Sequence, residues 1–195
     1  MNIPNIIKET CEGTVCVPIR DELFRRREIY CTGEIDAESA NSIIVQLHFL
    51  SLEDPTGEIT LYINSPGGEA SSGLAVYDTM QNIPAPVRTI CMGTAASMAA
   101  VLFAAGKQRE MLEHSRIMIH DPLIPGGMGG SALKIDQTAR NIMRLREVQA
   151  EILARHTGHT VEEIYTKTAT DSYFDAGEAV SWGLADSIIK STKGD

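Results

Sequence analysis

The sequence predicts an α/β fold of repeated βαβ units around a mostly parallel sheet, on three observations. Strand-like and helix-like stretches alternate through the first hundred residues, and alternation of this kind implies parallel strands joined by right-handed crossovers. Proline and glycine fall between the stretches, at Pro55, Gly57, Pro84 and Pro86, where the chain has to change direction. The chain has 195 residues, 43% of them hydrophobic, which is enough for one substantial core and short for two. A single domain over 1–195 is expected.

Residues 1–26 mix apolar and polar side chains without a clean period and break at Gly13 and Pro18, so they read as an arm or hairpin. The Arg25-Arg26-Arg27 cluster that follows reads as a solvated or inter-subunit face. Glu28–Gly33 is a strand, and Asp36 stands where it can cap a helix carrying Ala40, Ile43, Ile44, Leu47 and Leu50 at helical spacing. Ile59–Ile63 is the next strand. It runs into Asn64-Ser65-Pro66-Gly67-Gly68, a turn with unusual backbone freedom. Ala70, Leu74, Tyr77 and Met80 then line one face of a helix that Pro84 and Pro86 stop.

Val87–Phe103 reads as strand, tight turn and buried helix, with Gly93 as punctuation and Ser97 at the turn. Two short strands follow, Arg109–Glu113 and Arg116–Ile119, the second ending in His120-Asp121-Pro122. A glycine-rich loop, Pro125–Gly130, leads into the longest helix, about Ala132–His156. This helix sets Ile135, Ala139, Ile142, Leu145, Val148 and Ile152 on one side and closes at Gly158. Thr160 with Glu163 and Asp175 with Glu178 are capping boxes that start two short helices, with Asp171 in the connection between them. Leu184–Ile189 is the last strand.

Composition excludes several classes of function. A net charge of −9 and a pI near 5.0 leave no basic stripe to displace the counterions of a nucleic acid. No apolar run reaches the length of a bilayer, and Met1–Asn5 lacks the basic and hydrophobic regions of a secretory signal, so a cytoplasmic protein away from membranes is expected. Cys11, Cys16, Cys31 and Cys91 lack zinc-type spacing and read as apolar fillers or free thiols. Neither a phosphate-binding P-loop nor a dinucleotide fingerprint is visible. No cofactor is expected on this chain, and any nucleotide-driven step must come from another one.

Three residues could carry chemistry together: Ser97 at a strand-to-helix turn, His120 at a strand end and Asp171 in a loop. A helix N-terminus presents free N–H groups and a partial positive charge suited to an oxyanion, and a serine there becomes a nucleophile once an imidazole takes its proton. Taken alone, the segment favours a mere helix cap for Ser97, because the G-x-S-x-G elbow is absent. Of the histidines, His48 lies on an amphipathic helix, His114 in a turn, and His156 and His159 beside a helix end. Only His120 ends an apolar strand, where open α/β sheets bind ligands. Asp121, next to His120, points the other way along the strand, and Asp175 is a cap; spacing leaves the choice among them and Asp171 open. The backbone N–H groups of Gly68 and Met98 could serve one oxyanion, although Pro-Gly-Gly is also an ordinary turn.

At Leu61–Gly68, Thr89–Ala99 and Arg116–Leu123 the sequence resembles the Clp protease proteolytic subunit family, and the likeness runs from Ile3-Pro4 to Glu178–Asp186. Carried over by position, the resemblance implies Ser97 as nucleophile, His120 as base, Asp171 as acid and the backbones of Gly68 and Met98 as oxyanion donors. It implies a crotonase-like spiral of βαβ units, an N-terminal arm over 1–26 acting as axial loop, and a handle region over about 120–158. It further implies two stacked seven-membered rings enclosing a chamber, fed with unfolded proteins by a separate AAA+ ATPase that uses the ATP. Tyr62 matches an aromatic position of the ATPase-docking pocket; it would otherwise be an ordinary strand tyrosine.

The chain also departs from the family pattern. Asp121 stands where Gln is usual, Ser172 where Arg is usual and Ser131 where a handle Gln is usual. Ile124-Pro125 looks like a two-residue insertion, and the stretch near Lys107 looks two residues shorter. A divergent paralogue is therefore expected, with its triad present and its double ring weak alone or dependent on a second subunit type. Three alternatives stand beside this reading: a crotonase-fold acyl-CoA hydratase or isomerase, a Ser–Lys peptidase using Lys107, and a resting ring subunit that needs an active paralogue.

Overall fold

The computed structural model describes residues 4–11, 13–124, 126 and 129–190. Strands β1 (Asn5–Thr10) and β2 (Gly13–Pro18) pair antiparallel, so the N-terminal arm is a hairpin. A helix that periodicity did not reveal, α1 (Ile19–Arg25), follows; Asp21 and Glu22 in its first turn and Arg25 in its last suit the helix dipole. Arg27 departs from the expected solvated face. It adopts φ 63° and its guanidinium donates to the carbonyls of Asp54, Gly57 and Glu58, tethering the chain entering β3 (Glu28–Thr32) to the start of the next strand.

The alternation then runs as expected: α2 (Ala37–Glu53), β4 (Ile59–Ser65), α3 (Ala70–Asn82), β5 (Val87–Ala96), α4 (Met98–Ala104), β6 (Gln108–Leu112) and β7 (Arg116–Ile119). Asp36 caps α2 in a reciprocal box with Ser39, and Ala40, Ile43, Leu47 and Leu50 are buried on its inner face. The sheet order is β3-β4-β5-β6-β9, parallel throughout, where β9 is Ser187–Ile189, shorter than the strand expected from Leu184. β5 is long enough to serve two neighbours. Arg88–Cys91 pairs with β6 and Thr94–Ala96 with β7.

Gly93 does not end β5, contrary to its reading as punctuation. The strand continues through it past an irregularity between Ile63 and Ser65 of β4. The Thr94 N–H donates to Asn64 Oδ1 at 3.1 Å, and a Cβ on residue 93 would lie 2.5 Å from that oxygen, so the small residue makes room for Asn64. The buried face of α3 is also rotated from expectation, with Gly73 and Val76 joining Tyr77 and Met80 while Ala70 and Leu74 are only partly covered.

α5 (Ala132–Thr157) ends at Gly158 in the left-handed conformation as expected. On its expected apolar side Ile152 is buried, Ala139, Ile142, Leu145 and Val148 are half-buried and Ile135 is exposed, while Ala150 and Leu153 join the core beside Ile152. In the loop before it, Pro125, Gly127 and Met128 lie outside the described residues, and with them half of the Ile124-Pro125 insertion. Both capping boxes form, at the starts of α6 (Val161–Thr168) and α7 (Ala176–Ser181). Between them lies β8 (Ser172–Phe174), three residues that pair antiparallel with β7 and that the sequence did not disclose. Cys31 and Cys91 are buried, Cys11 and Cys16 exposed, and all four are free. Among the described residues no helix is long and apolar enough to cross a membrane.

Candidate active site

The carboxyl ends of β4, β5 and β7 converge on one point. β5 delivers Ser97 into the turn before α4, where it holds φ 54° and ψ −124°, a conformation uncommon for a residue with a side chain. Two backbone bonds hold it there. The Ser97 N–H donates to the Met118 carbonyl at 2.8 Å, and the Ser97 carbonyl accepts from Ala100 at 3.0 Å. The hydroxyl makes no cap bond to the helix, so the helix-cap reading fails. Instead Ser97 Oγ lies 2.8 Å from Nε2 of His120, the first residue past β7.

The other ring nitrogen, His120 Nδ1, faces Asp171 Oδ1 at 3.5 Å. This contact exceeds the usual hydrogen-bond range, and the Asp171 side chain is 60% exposed against 13% for His120. Catalytic contacts of this kind are often loose before substrate binds. With Nδ1 protonated toward Asp171, Nε2 is free to accept the serine proton.

The turn after β4 closes the other side. Gly67 and Gly68 adopt φ +93° and +153°, and a Cβ on Gly67 would stand 2.7 Å from Ser97 Cβ and 3.0 Å from the Met98 nitrogen. The Ile35 N–H donates to the Gly67 carbonyl and the Glu69 N–H to the Ile35 carbonyl, which clamps the turn as an isolated parallel bridge. That bridge uses the groups flanking Gly68 and leaves the Gly68 N–H directed away from Ile35. The Met98 N–H belongs to the first turn of α4, where no intrahelical acceptor exists.

The rival residues are occupied elsewhere. His48 and His114 are exposed on α2 and in the β6–β7 turn. His156 is bonded to the Tyr77 hydroxyl at 3.2 Å, and burial followed by the charges of Arg109 and Arg155 pushes its pKa below the ordinary value. His159 stacks on Trp182 and contacts Glu163 and the Trp182 carbonyl. Asp175 is a cap. The Asp121 carboxylate accepts from Arg146 Nε and from Thr168 Oγ1, each at 2.6 Å, so it is turned to other partners. Lys107 bonds through its N–H to the Val87 carbonyl at the opposite end of β5. At roughly 3.3 Å per residue a ten-residue strand separates it from Ser97 by about 30 Å, and it cannot act as the base. An acyl-CoA hydratase would have no use for a serine hydroxyl against an imidazole.

Tyr62 sits half-buried on β4 and stacks on Tyr30 of β3, with ring centroids 5.0 Å apart and planes 12° from parallel. Sequence reasoning missed β8, the element that carries the chain past Asp171; a run of three residues gives no periodicity to detect.

A family model described as Clp protease matches residues 11–192 of the chain. The chain is 46% identical over 193 residues to the ATP-dependent Clp protease proteolytic subunit 3 of Frankia casuarinae, an alignment covering 98% of this chain and 90% of that protein.

Proposed function

The chain belongs to the Clp protease family, and on that premise we propose that it is the proteolytic subunit of an ATP-dependent protease, a serine endopeptidase acting on unfolded proteins. The observation that carries this reading is the 2.8 Å contact between Ser97 Oγ and His120 Nε2 at the mouth of a helix N-terminus.

Ser97 attacks the peptide carbonyl as His120 takes the hydroxyl proton, and Asp171 holds the imidazole in the tautomer that can accept it. The N–H groups of Gly68 and Met98 receive the charge that develops on the carbonyl oxygen. His120 then gives its proton to the leaving amine, the C–N bond breaks, and water attacking the acyl-enzyme with His120 again as base frees the second fragment. The chain uses no cofactor of its own. ATP is consumed by an AAA+ partner that unfolds and threads the substrate, docking in part at Tyr62.

On the same reading the chain is one domain with an axial arm over 1–26 and a handle over about 120–158, working in the cytoplasm in two stacked heptameric rings, without nucleic acid or membrane. Ser131 and Ser172 favour a ring that needs help. Ser131 caps α5 through the Lys134 N–H, and the Ser172 hydroxyl donates to the Lys167 carbonyl, so both short side chains are satisfied within their own chain. The double ring is therefore weak alone or mixed with a second subunit type. Sedimentation at low micromolar concentration tests this, and a stable homogeneous double ring refutes it.

Intact mass after exposure to a fluorophosphonate tests the chemistry. One adduct on the wild type that Ser97→Ala abolishes supports the peptidase. An adduct that survives Ser97→Ala overturns it, as does a wild type that stays unlabelled with a partner subunit present.

A further inference from the structure

The residue after His120 is a carboxylate, and it is fully engaged. The Asp121 N–H donates to the Thr168 carbonyl at 2.8 Å, its Oδ1 accepts from Thr168 Oγ1 and its Oδ2 from Arg146 Nε. Arg146 comes from α5 and lays its guanidinium 3.9 Å from the centre of the Tyr165 ring on α6. Asp121 thus joins three segments: the end of β7 that carries His120, the helix α5, and the end of α6, from which Asp171 is three residues away. One turn further along α5, Gln149 Nε2 lies 3.7 Å from Met98 Sδ. The same face of α5 therefore touches both sides of the site.

We propose that Asp121 and Arg146 form a positioning pair that fixes His120 against Ser97 and balances the charge beside the imidazole, an inference that rests on the peptidase reading above. Neither residue touches substrate. Their backbone and side-chain bonds set the Cα from which the His120 ring projects, and their opposite charges cancel at a crevice only partly open to solvent. The His120 ring contacts Ser97 from the β5–α4 turn and Asp171 from the α6–β8 connection, and His120 lines one crevice with Asp121 and with Arg146 from α5, behind which Tyr165 lies.

The pair predicts a signature that loss of packing cannot imitate. Arg146→Gln leaves the Asp121 charge unopposed in the crevice that His120 lines and moves the acid limb of activity to higher pH. Asp121→Asn leaves the Arg146 charge unopposed and moves that limb to lower pH. Each displacement is about half a pH unit, and the double variant returns close to the wild type. Arg146→Lys keeps the charge and leaves the limb in place.

The experiment is the rate of fluorophosphonate labelling of the full chain between about pH 5 and about pH 9, with its partner subunit if labelling requires one. Opposite displacements with recovery in the double variant are expected, and each single variant labels about ten-fold more slowly at its optimum. Limbs that stay put, or move the same way, overturn the pair while leaving the peptidase intact. If Asp121→Asn does not fold, Arg146→Gln against Arg146→Lys decides alone. A wild type that does not label at any pH brings down the peptidase reading and this inference with it.

Discussion

Ile119 pairs with Ser172 across β7 and β8, and this register brings the next residue of each strand, His120 and Asp171, to 3.5 Å from each other. Asp171 is thus placed by sheet pairing, and its own side chain stays largely in solvent.

Exposure sets the size of the first prediction. Asp171→Asn leaves the strands and the Ser97–His120 contact in place but removes the charge that selects the tautomer. A buried triad acid is worth about 10⁴-fold in kcat, and a contact this long and solvated is expected to give about 10²-fold. Steady-state hydrolysis of a short fluorogenic peptide measures it, and a loss of less than twofold would mean that Asp171 does not orient His120.

The second prediction concerns Gly67. Its φ of +93° suits glycine, and a Cβ there would meet the Ala96 carbonyl at 2.6 Å and Ser97 Cβ at 2.7 Å. Gly67→Ala is expected to cost about 2 kcal/mol or more and to displace Ser97, lowering Tm and peptidase activity together. Gly158→Ala serves as control. It sits at φ +79° with open space around it, and is expected to lower Tm while leaving activity per folded subunit intact.

Thiol reactivity separates the cysteines. Burial pushes the Cys31 thiol up to about 11 and raises Cys91 as well, whereas Cys11 and Cys16 are exposed. Native protein treated with a maleimide is expected to label at Cys11 and Cys16 alone, even at about pH 9, and at all four after denaturation. Labelling of Cys31 in the native state would contradict the burial of β3.

The fourth prediction is a pH dependence of stability. His156 has its pKa lowered by burial and then by Arg109 and Arg155, so the unfolded chain binds the proton more readily than the folded one. Stability from this residue is intact above the unfolded value of 6.5 and is lost as pH falls through the lower folded value. Denaturant midpoints across that range are expected to decline toward acid, and His156→Gln is expected to flatten the decline.

The parallel core was legible because β3, β4 and β5 are separated by a helix capped at Asp36, by a second stretch of helical spacing and by prolines, signals that act locally. Ser97 was legible as a position and ambiguous as a role. A cap and a nucleophile share the same strand-to-helix turn, and only the imidazole across the fold tells them apart. Asp171 was legible only through resemblance, since its place depends on a three-residue strand too short for any period. Arg27 reads in the sequence as part of a solvated or inter-subunit face, because the carbonyls that bind it are 27 to 31 residues away, and nothing local marks Arg146, whose carboxylate partner is 25 residues away.

Because β8 lies late in the chain, Asp171 joins the other two residues late in synthesis. His120 leaves the ribosome 51 residues before Asp171, and Ser97 74 residues before it. Through that interval the growing chain holds Ser97 and His120 without the carboxylate that faces the imidazole. The cluster of Ser97, His120 and Asp171 is complete only when the last third of the polypeptide folds back on the first two.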